Sequence, residues 1–415
     1  MLPHKNLRPM MSIKQILDSI FARIRVTHKW QQDFLVEMFE LIYSIQGRIN
    51  FENLSRYSTL NEVTFRRNFS KFFDWIGFNL ALMHLGGLDF TKPVIAAIDC
   101  SFISKAGTKT FGVDQFWSGV ANRNKSGLEL SLLSLIDVLS GKAWTLDATQ
   151  TPAGLSAKEG KQGQYTRIDF YIEQILDLLP QLQYIEYFVA DGYYAKTKMF
   201  KAFVQINKVL ITKLRPDANL RYILPKVAKT GKRGRPTQYA GKVNWKQLDL
   251  SKWIDIGLDT KYPHLHIYTQ VLNSPYFKRN FKVVMLLNTK TNKYIVLAST
   301  QLDLDARLIV QYYQLRFQIE FLFRDAKQFT GLNHCQARGQ EKLDFHFNLS
   351  LSAINLVNVI RKLNPTIKSM NSFVRKAYNT RIVEMLFSQL SLYAEFDLNQ
   401  PSVQKVLNLG CIQHQ

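Results

Sequence analysis

The sequence predicts an α/β protein in which helical regions flank a core that contains a mixed sheet. Residues 14–48 have apolar side chains at helix-like intervals, whereas short apolar runs rich in β-branched residues begin after Pro93. Three strands are expected first, and helices and strands then alternate up to Leu214. The order β-β-β-α-β-α-β is typical of an α/β architecture with a mixed sheet.

The predicted elements of this core follow one another closely along the chain. The strands are expected at 94–102, 128–138, 142–151, 184–194 and 208–214, and the helices at 167–182 and 196–206. This order is that of the ribonuclease-H-like fold, in which the first and fourth strands are neighbours. Each of these two strands is expected to end in an acid, Asp99 or Asp191.

The alternation of helix and strand stops after residue 214 and resumes at residue 281. We therefore expect a ribonuclease-H-like catalytic core formed by 91–214 and 281–340, interrupted by a β-rich basic insertion at 215–280. Residues 341–415 are expected to form a C-terminal helical region and are a candidate dimerisation surface.

The second part of the predicted core begins with a hairpin and continues into helices. Strands are expected at 281–289 and 293–300. One long helix is expected from Asp303 to Phe329, ended by Gly331, and a second apolar helix at about 343–362.

Residues 1–90 are expected to form a helical N-terminal DNA-binding domain. Segment 51–75 predicts a short helix, a turn and a second helix, as in a helix-turn-helix. The predicted buried stripe consists of Phe65, Phe69, Phe72 and Phe73. Arg66 and Arg67 would lie on the outer face and contact DNA. An ordinary helical bundle with a basic face explains the pattern equally well.

Composition indicates a folded protein that binds a polyanion. Lys and Arg outnumber Asp and Glu by 54 to 32, so the net charge is +22, and nucleic acid is the usual partner of such a charge. A solubility charge or a membrane-surface patch is the alternative. Three scattered cysteines and the absence of a long apolar run in the sequence favour a cytoplasmic protein, associated with the nucleoid when it binds DNA.

The positive charge is concentrated in one segment. Residues 196–246 contain fourteen Lys or Arg and a single acid, Asp217, a density that favours contact with phosphates. Within it, Lys232, Arg233 and Arg235 surround a glycine as in an AT-hook, which inserts arginines into a narrow minor groove. A charged surface loop is the alternative interpretation.

Asp99 and Asp191 are candidate ligands of divalent metal ions. Cleaving a phosphodiester is aided by two metal ions that stabilise the attacking and the leaving oxygen, and Mg²⁺ prefers oxygen ligands. Acids at the ends of two neighbouring buried strands would meet in space. An acid at a strand end can also merely cap a turn or a helix.

A third acid lies on the long predicted helix. Tyr313, Arg316, Glu320, Arg324 and Lys327 are expected on one helical face, between apolar flanks that predict a buried helix. A metal ligand flanked by phosphate-binding cations accounts for this stripe. The alternative is a solvated face with an Arg316–Glu320 pair that contributes only a few tenths of a kcal/mol.

The spacing Tyr-x2-Arg-x3-Glu-x6-Lys at Tyr313, Arg316, Glu320 and Lys327 resembles the signature of bacterial cut-and-paste DDE transposases of the insertion-sequence-four-like group. The blocks that contain Asp99 and Asp191, and the insertion before Glu320, are similar to that group as well. The resemblance spans about residues 90–335.

The resemblance implies roles for these residues. Asp99, Asp191 and Glu320 would be the catalytic residues and would bind two Mg²⁺ or Mn²⁺ ions. Tyr313, Arg316 and Lys327, with Arg324 beside them, would contact DNA near the scissile bond. Some relatives stack a flipped base on a Trp of the insertion, a role that Trp245 or Trp253 could take here.

The activity implied is cleavage at transposon ends followed by attack of the freed 3′-OH on target DNA. The partners would be double-stranded DNA and a second copy of the chain, since two ends must be paired. A ribonuclease-H-like nuclease or resolvase without strand transfer, and a catalytically inactive DNA-binding regulator, are the alternatives.

Overall fold

The computed structural model of the protein describes residues 12–24, 28–158, 163–224, 238–389 and 397–409. Its first part contains five helices, namely α1 (Ile13–Phe21), α2 (Lys29–Ser44), α3 (Phe51–Arg56), α4 (Glu62–Asn68) and α5 (Trp75–Leu85). The side chains of Asn50 and Asn61 accept hydrogen bonds from backbone N–H groups in the first turns of α3 and α4. These caps fix where the two short helices begin.

The aromatic stripe of this region is buried at three of its four predicted positions. Phe65, Phe69 and Phe73 are buried, whereas the side chain of Phe72 is 88% exposed, so its predicted burial is wrong. The physical reason is that α4 ends at Asn68, and helical spacing does not extend to Phe72. The chain must turn there to enter α5.

The sheet begins with four strands that pair in an antiparallel arrangement. They are β1 (Val94–Ser104), β2 (Asp114–Ser118), β3 (Arg123–Asp137) and β4 (Ala143–Gln150), and β3 pairs with the other three. The sequence did not predict β2. It also placed Asp99 at the end of its strand, whereas β1 continues for five residues beyond it, to Ser104.

The next elements complete the centre of the sheet. They are α6 (Arg167–Asp177), β5 (Tyr187–Ala190), α7 (Thr197–Gln205) and β6 (Val209–Leu214). Strand β5 pairs in parallel with β1 on one side and with β6 on the other. Because β1 and β5 run side by side in the same direction, the residues that follow Ile98 and Ala190 lie next to each other at the same level of the sheet.

The remaining strands extend the same sheet rather than forming a second one. They are β7 (Arg221–Ile223), β8 (Tyr239–Lys242), β9 (Ile254–Leu258), β10 (Leu265–Ser274), β11 (Arg279–Asn288) and β12 (Tyr294–Ser299). The order along the sheet is β2-β3-β1-β5-β6-β12-β11-β10-β7-β8, with β4 on β3 and β9 on β10. The segment between β6 and β11 is therefore hydrogen-bonded to the centre of the sheet through β11 and β12.

In the described part of the chain, strand β12 is followed by helices, namely α8 (Ala306–Leu315), α9 (Gln318–Phe329), α10 (Gln340–Leu363), α11 (Met370–Gln389) and α12 (Pro401–Leu407). Helix α10 is buried along most of its length and packs against β4 and α5. The side chain of Asp305 caps α8 by accepting hydrogen bonds from the backbone N–H groups of Arg307 and Leu308.

Helices α8 and α9 replace the single helix that was predicted from Asp303 to Phe329. The prediction of one continuous helix is wrong, because the backbone tightens at Arg316 and Phe317. Phe317 N donates to Gln314 O, Ile319 N to Arg316 O and Glu320 N to Phe317 O, all of them three-residue steps. A tighter turn of this kind changes the direction of the side chains that follow it.

Candidate active site

The two candidate aspartates come from adjacent parallel strands. Asp99 follows Ile98 in the middle of β1, and Asp191 follows Ala190 at the end of β5. Ile98 and Ala190 lie opposite each other in the pairing of the two strands. The side chain of Asp99 is 18% exposed. The parallel pairing of two buried strands thus places the two carboxylates at one level of the sheet.

Local hydrogen bonds hold Asp191 in place. Its Oδ1 accepts a hydrogen bond from Tyr193 N at 2.7 Å, which starts a short 3-10 turn. Its backbone carbonyl accepts a hydrogen bond from the hydroxyl of Thr212 on β6, also at 2.7 Å. A side chain at Gly192 would place its Cβ 3.1 Å from the carbonyl oxygen of Lys213, so the turn passes close to β6.

Glu320 and Asp99 are joined by one guanidinium. Arg316 Nη1 donates to Asp99 Oδ2 at 2.8 Å, and Arg316 Nη2 donates to Glu320 Oε1 at 2.7 Å. Glu320 is the more accessible acid, with 40% of its side chain exposed. The break between α8 and α9 is what directs Arg316 towards both acids, since Arg316 itself lies in the tight turn.

The electrostatics show excess negative charge at Asp99. Burial and the nearby Asp191 raise the pKa of Asp99 to about 7, Glu320 adds to this, and Arg316 opposes it. A buried carboxylate beside two others is unfavourable unless a cation offsets the charge.

The acids present fit a hard divalent cation. Three carboxylates that act on one another electrostatically, with oxygen atoms as the only donors, are the ligand type that Mg²⁺ and Mn²⁺ prefer. In the part of the chain that the structure describes, no group of three His, Cys, Asp or Glu side chains is arranged to hold a metal ion. The guanidinium of Arg316 bridges Asp99 and Glu320 and must move for both to bind one ion.

Lys327 and Tyr313 lie next to residues of this cluster. Lys327 Nζ donates to Ser101 Oγ at 2.6 Å and to Phe102 O at 3.1 Å, and burial lowers its pKa. The guanidinium carbon of Arg316 is 5.8 Å from the ring centroid of Tyr313, whose pKa is raised by burial. A cation is therefore held two residues along β1 from Asp99.

Arg324 is not part of this cluster. It is exposed and donates two hydrogen bonds to Asp325 Oδ1, at 3.0 and 2.8 Å. Its guanidinium also lies 4.5 Å from the ring centroid of Phe321.

The other predicted DNA-contacting residues lie far from the acids in sequence. Arg66 pairs with Glu62 and its guanidinium lies over the ring of Phe51 at 5.2 Å. Arg67 is exposed and lines an open groove with Lys71. The basic residues Lys232, Arg233 and Arg235 lie outside the described residues.

The two tryptophans of the insertion are built into the fold. Trp253 is buried, and Trp245 stacks on Tyr294 with ring centroids 5.4 Å apart. The indole N–H of Trp245 donates to Ala218 O at 2.7 Å. Trp245 is half-buried, and its ring centroid lies 6.1 Å from that of Trp253.

Two residues of the site were missed from the sequence. Ser101 anchors Lys327, and Thr212 anchors the backbone of Asp191. Ser101 could have been found, because it lies two residues after Asp99 and side chains at that spacing share a face of a strand. Thr212 gave no such signal, since its role depends on the pairing of β5 with β6.

Part of the chain resembles a known protein family. Residues 167–356 match the family model of the transposase DDE domain, a segment that includes Asp191 and Glu320 but not Asp99. No curated protein matches the chain. None of the helices in the described part of the chain is long and apolar enough to cross a membrane. The family match supports a DDE transposase.

Proposed function

We propose that this protein is a DNA transposase in which Asp99, Asp191 and Glu320 form one catalytic metal site. The observation that carries the proposal is the double ion pair of Arg316 with Asp99 and Glu320, beside Asp191 on the adjacent strand. Acids from two strands and a distant helix converge, and the family match covers two of the three.

The site would hold two Mg²⁺ or Mn²⁺ ions, which supply Lewis-acid activation of water and stabilise the attacking and leaving oxygens of a phosphodiester. Asp99 and Asp191 would act as rigid ligands because strands β1 and β5 fix them. Glu320, more exposed and on a helix, would complete the set from the opposite side.

The cations beside the acids would bind DNA phosphates. Lys327 is held by Ser101 on the same strand as Asp99, so it lies where a phosphate next to the scissile bond would need a counter-charge. Arg316 would exchange its two carboxylate partners for a phosphate when metal ions enter. Tyr313 packs beside Arg316 and limits where its guanidinium can go.

The finer assignment is to the ribonuclease-H-like, insertion-sequence-four-like group. Its support is the central order β4-β3-β1-β5-β6, in which antiparallel strands lie on one side of β1 and parallel strands on the other. Further support is the spacing of Tyr313, Arg316, Glu320 and Lys327 and the strands inserted between β6 and β11.

The DNA partner is supported by the charge of the chain. A net charge of +22 favours a polyanion, and Arg66, Arg67, Lys71 and Lys342 line one exposed groove beside α4. We propose that this groove contacts the phosphate backbone of a transposon end. Pairing of two ends by a homodimer is part of the same proposal.

The direct test is Mn²⁺-dependent nicking of supercoiled plasmid DNA by the wild type and by Glu320→Gln. Loss of one metal ligand should reduce nicking by at least about a hundredfold, since cleavage depends on charge stabilisation. The matched control is Asp325→Asn, an acid on the same helix that pairs with Arg324 and should nick normally.

Strand transfer separates a transposase from a nuclease. A duplex with a pre-formed 3′-OH end should be joined to target DNA by the wild type, whereas a resolvase would only cleave. An inactive regulator would bind DNA with no nicking above the level of Glu320→Gln, and that result would refute the catalytic proposal.

A further inference from the structure

The β2–β3 hairpin extends past the end of β1 as a two-stranded ribbon. The last register pair of β1 is Ser104 with Gly127, so residues 123–126 of β3 have β2 as their neighbour on one side. All four of these residues are exposed. At the turn of the ribbon, Val120 is fully exposed.

One face of the ribbon is the face of the sheet that presents Asp99. Asp99 lies opposite Leu132, and the register of β3 continues without a bulge to its first residue. Alternate residues share a face, so Ser126 and Asn124 point to the same side as Asp99. Opposite these two on β2 are Gln115 and Trp117, which share that side.

The chemistry of this face is that of a surface that reads base edges. Gln115, Asn124 and Ser126 are exposed, and Trp117 is 56% exposed. Within the described residues, the side chains of Gln115, Asn124 and Ser126 make no hydrogen bond. Asn and Gln amides pair with adenine edges in a major groove, which is wide enough to admit a two-stranded ribbon.

The charge of the ribbon complements DNA. Between Asp114 and Glu129 the chain has two cations, Arg123 and Lys125, and no acid. Both cations are exposed and belong to the opposite face, from which their long side chains can extend past the edges of the ribbon when the polar face enters a groove. They are suited to the phosphates that line the groove.

The ribbon lies at a defined distance from the acids. On β3, Leu132 lies opposite Asp99 and Asn124 lies opposite Trp117. The eight residues from Leu132 to Asn124 span about 27 Å of extended strand. At about 3.4 Å per base pair, this length corresponds to about eight base pairs of duplex. Lys327, bound to Ser101, lies at the acid end of this path.

We propose that the β2–β3 ribbon binds the major groove of the DNA about eight base pairs from the scissile phosphate, and that Gln115 and Asn124 read the bases there. The inference rests on the proposed function, since the distance of about eight base pairs is counted from the three proposed catalytic acids. Trp117 packs against the groove wall, and Arg123 and Lys125 contact phosphates. A second copy of the chain is the competing occupant, and a face of amides and one indole beside unpaired cations favours DNA over it.

The test maps the nicks made in plasmid DNA with Mn²⁺ by sequencing and aligns the flanking bases on the nick. The wild type should show a base preference at about seven to nine base pairs from the nick, since this window follows from the strand length. The double variant Gln115→Ala/Asn124→Ala should lose that preference, by about tenfold, and keep any preference elsewhere. The matched control is Gln183→Ala, an exposed glutamine that lies before β5, at the other end of the strands.

The cation pair provides an independent measurement. Arg123→Gln/Lys125→Gln should weaken binding to plasmid-derived duplex and lower the slope of log affinity against log salt by about two, without changing the base preference. Trp117→Ala should weaken binding at all salt concentrations.

Four outcomes decide the inference, and a fifth decides the proposed function. Loss of the positional preference in the double variant supports it. No preference in that window for the wild type, or a preference that survives the double variant, overturns it. A change from dimer to monomer on Trp117→Ala in the absence of DNA, with DNA binding intact, assigns the ribbon to a second copy and also overturns it. Absence of nicks that depend on Glu320 refutes the proposed function instead.

Discussion

Replacing Asp99 by asparagine should stabilise the metal-free protein at alkaline pH. Three carboxylates held together without metal ions repel one another, and burial together with Asp191 raises the pKa of Asp99 to about 7. Asparagine keeps the shape and removes the charge. The loss of the ion pair to Arg316 opposes the gain, but that loss is the same at every pH above 7.

The magnitude follows from proton linkage. Since the folded-state pKa of Asp99 lies above the ordinary aspartate value of 3.8, the folded protein binds this proton more tightly than the unfolded chain. The destabilisation is therefore small near pH 4, grows as pH rises and is complete above about pH 7. Over the two pH units from pH 5 to pH 7, this destabilisation of the wild type grows by about 3 kcal/mol. For a chain of this length, that difference corresponds to about 3 °C in Tm.

The assay is thermal unfolding of the wild type and Asp99→Asn in EDTA at pH 5 and pH 8.5. The Tm of the variant relative to wild type should be about 3 °C higher at pH 8.5 than at pH 5. Mn²⁺ at pH 8.5 should then raise the Tm of the wild type and not that of the variant. Asp344→Asn is the matched control, because burial raises the pKa of Asp344 to about 6 at a place far from the acids along the sequence. The Tm of Asp344→Asn relative to wild type should also be higher at pH 8.5 than at pH 5, and Mn²⁺ should still raise the Tm of this variant. A relative Tm that does not depend on pH would refute the reasoning.

Further predictions concern the cations. Arg316→Met should raise the affinity for Mn²⁺ at pH 8 by on the order of tenfold, measured by calorimetry, because the metal no longer displaces two charge-assisted hydrogen bonds. Unchanged or weaker Mn²⁺ binding would contradict this. Lys327→Met should leave Mn²⁺ affinity unchanged and lower the nicking rate by about a hundredfold, since its cation serves DNA rather than the metal; a loss of metal affinity would count against it. Arg67→Ala and Lys71→Ala should each lower the salt slope of DNA binding by about one, and an unchanged slope would show that α4 does not contact phosphates.

The sequence was informative where periodicity and strand order decide the outcome. Asp99 and Asp191 were expected on neighbouring strands from the order of elements alone, and the parallel pairing of β1 with β5 places them side by side. The direction of Arg316 was not predictable from periodicity. Its approach to Asp99 depends on a tight turn between α8 and α9 that no Pro or Gly marks.

The hairpin strand β2 could not be identified from its residues. Its five residues, Asp114–Ser118, carry their two aromatic side chains next to each other, so the alternation expected of a strand is absent, and Gly119 and Asn122 follow. It forms a strand because residues 123–127 of β3 offer it a partner, which is a tertiary effect. The same reasoning explains Phe72, whose exposure follows from the end of α4 rather than from its own hydrophobicity.

The central claim is that three acids share a pair of cations, and anomalous scattering from crystals grown with Mn²⁺ measures this directly. We expect two peaks about 3.5–4 Å apart, bound by Asp99, Asp191 and Glu320, with Arg316 displaced from both of its carboxylate partners. Peaks bound elsewhere, or Arg316 still bridging Asp99 and Glu320 at saturating Mn²⁺, would contradict the account.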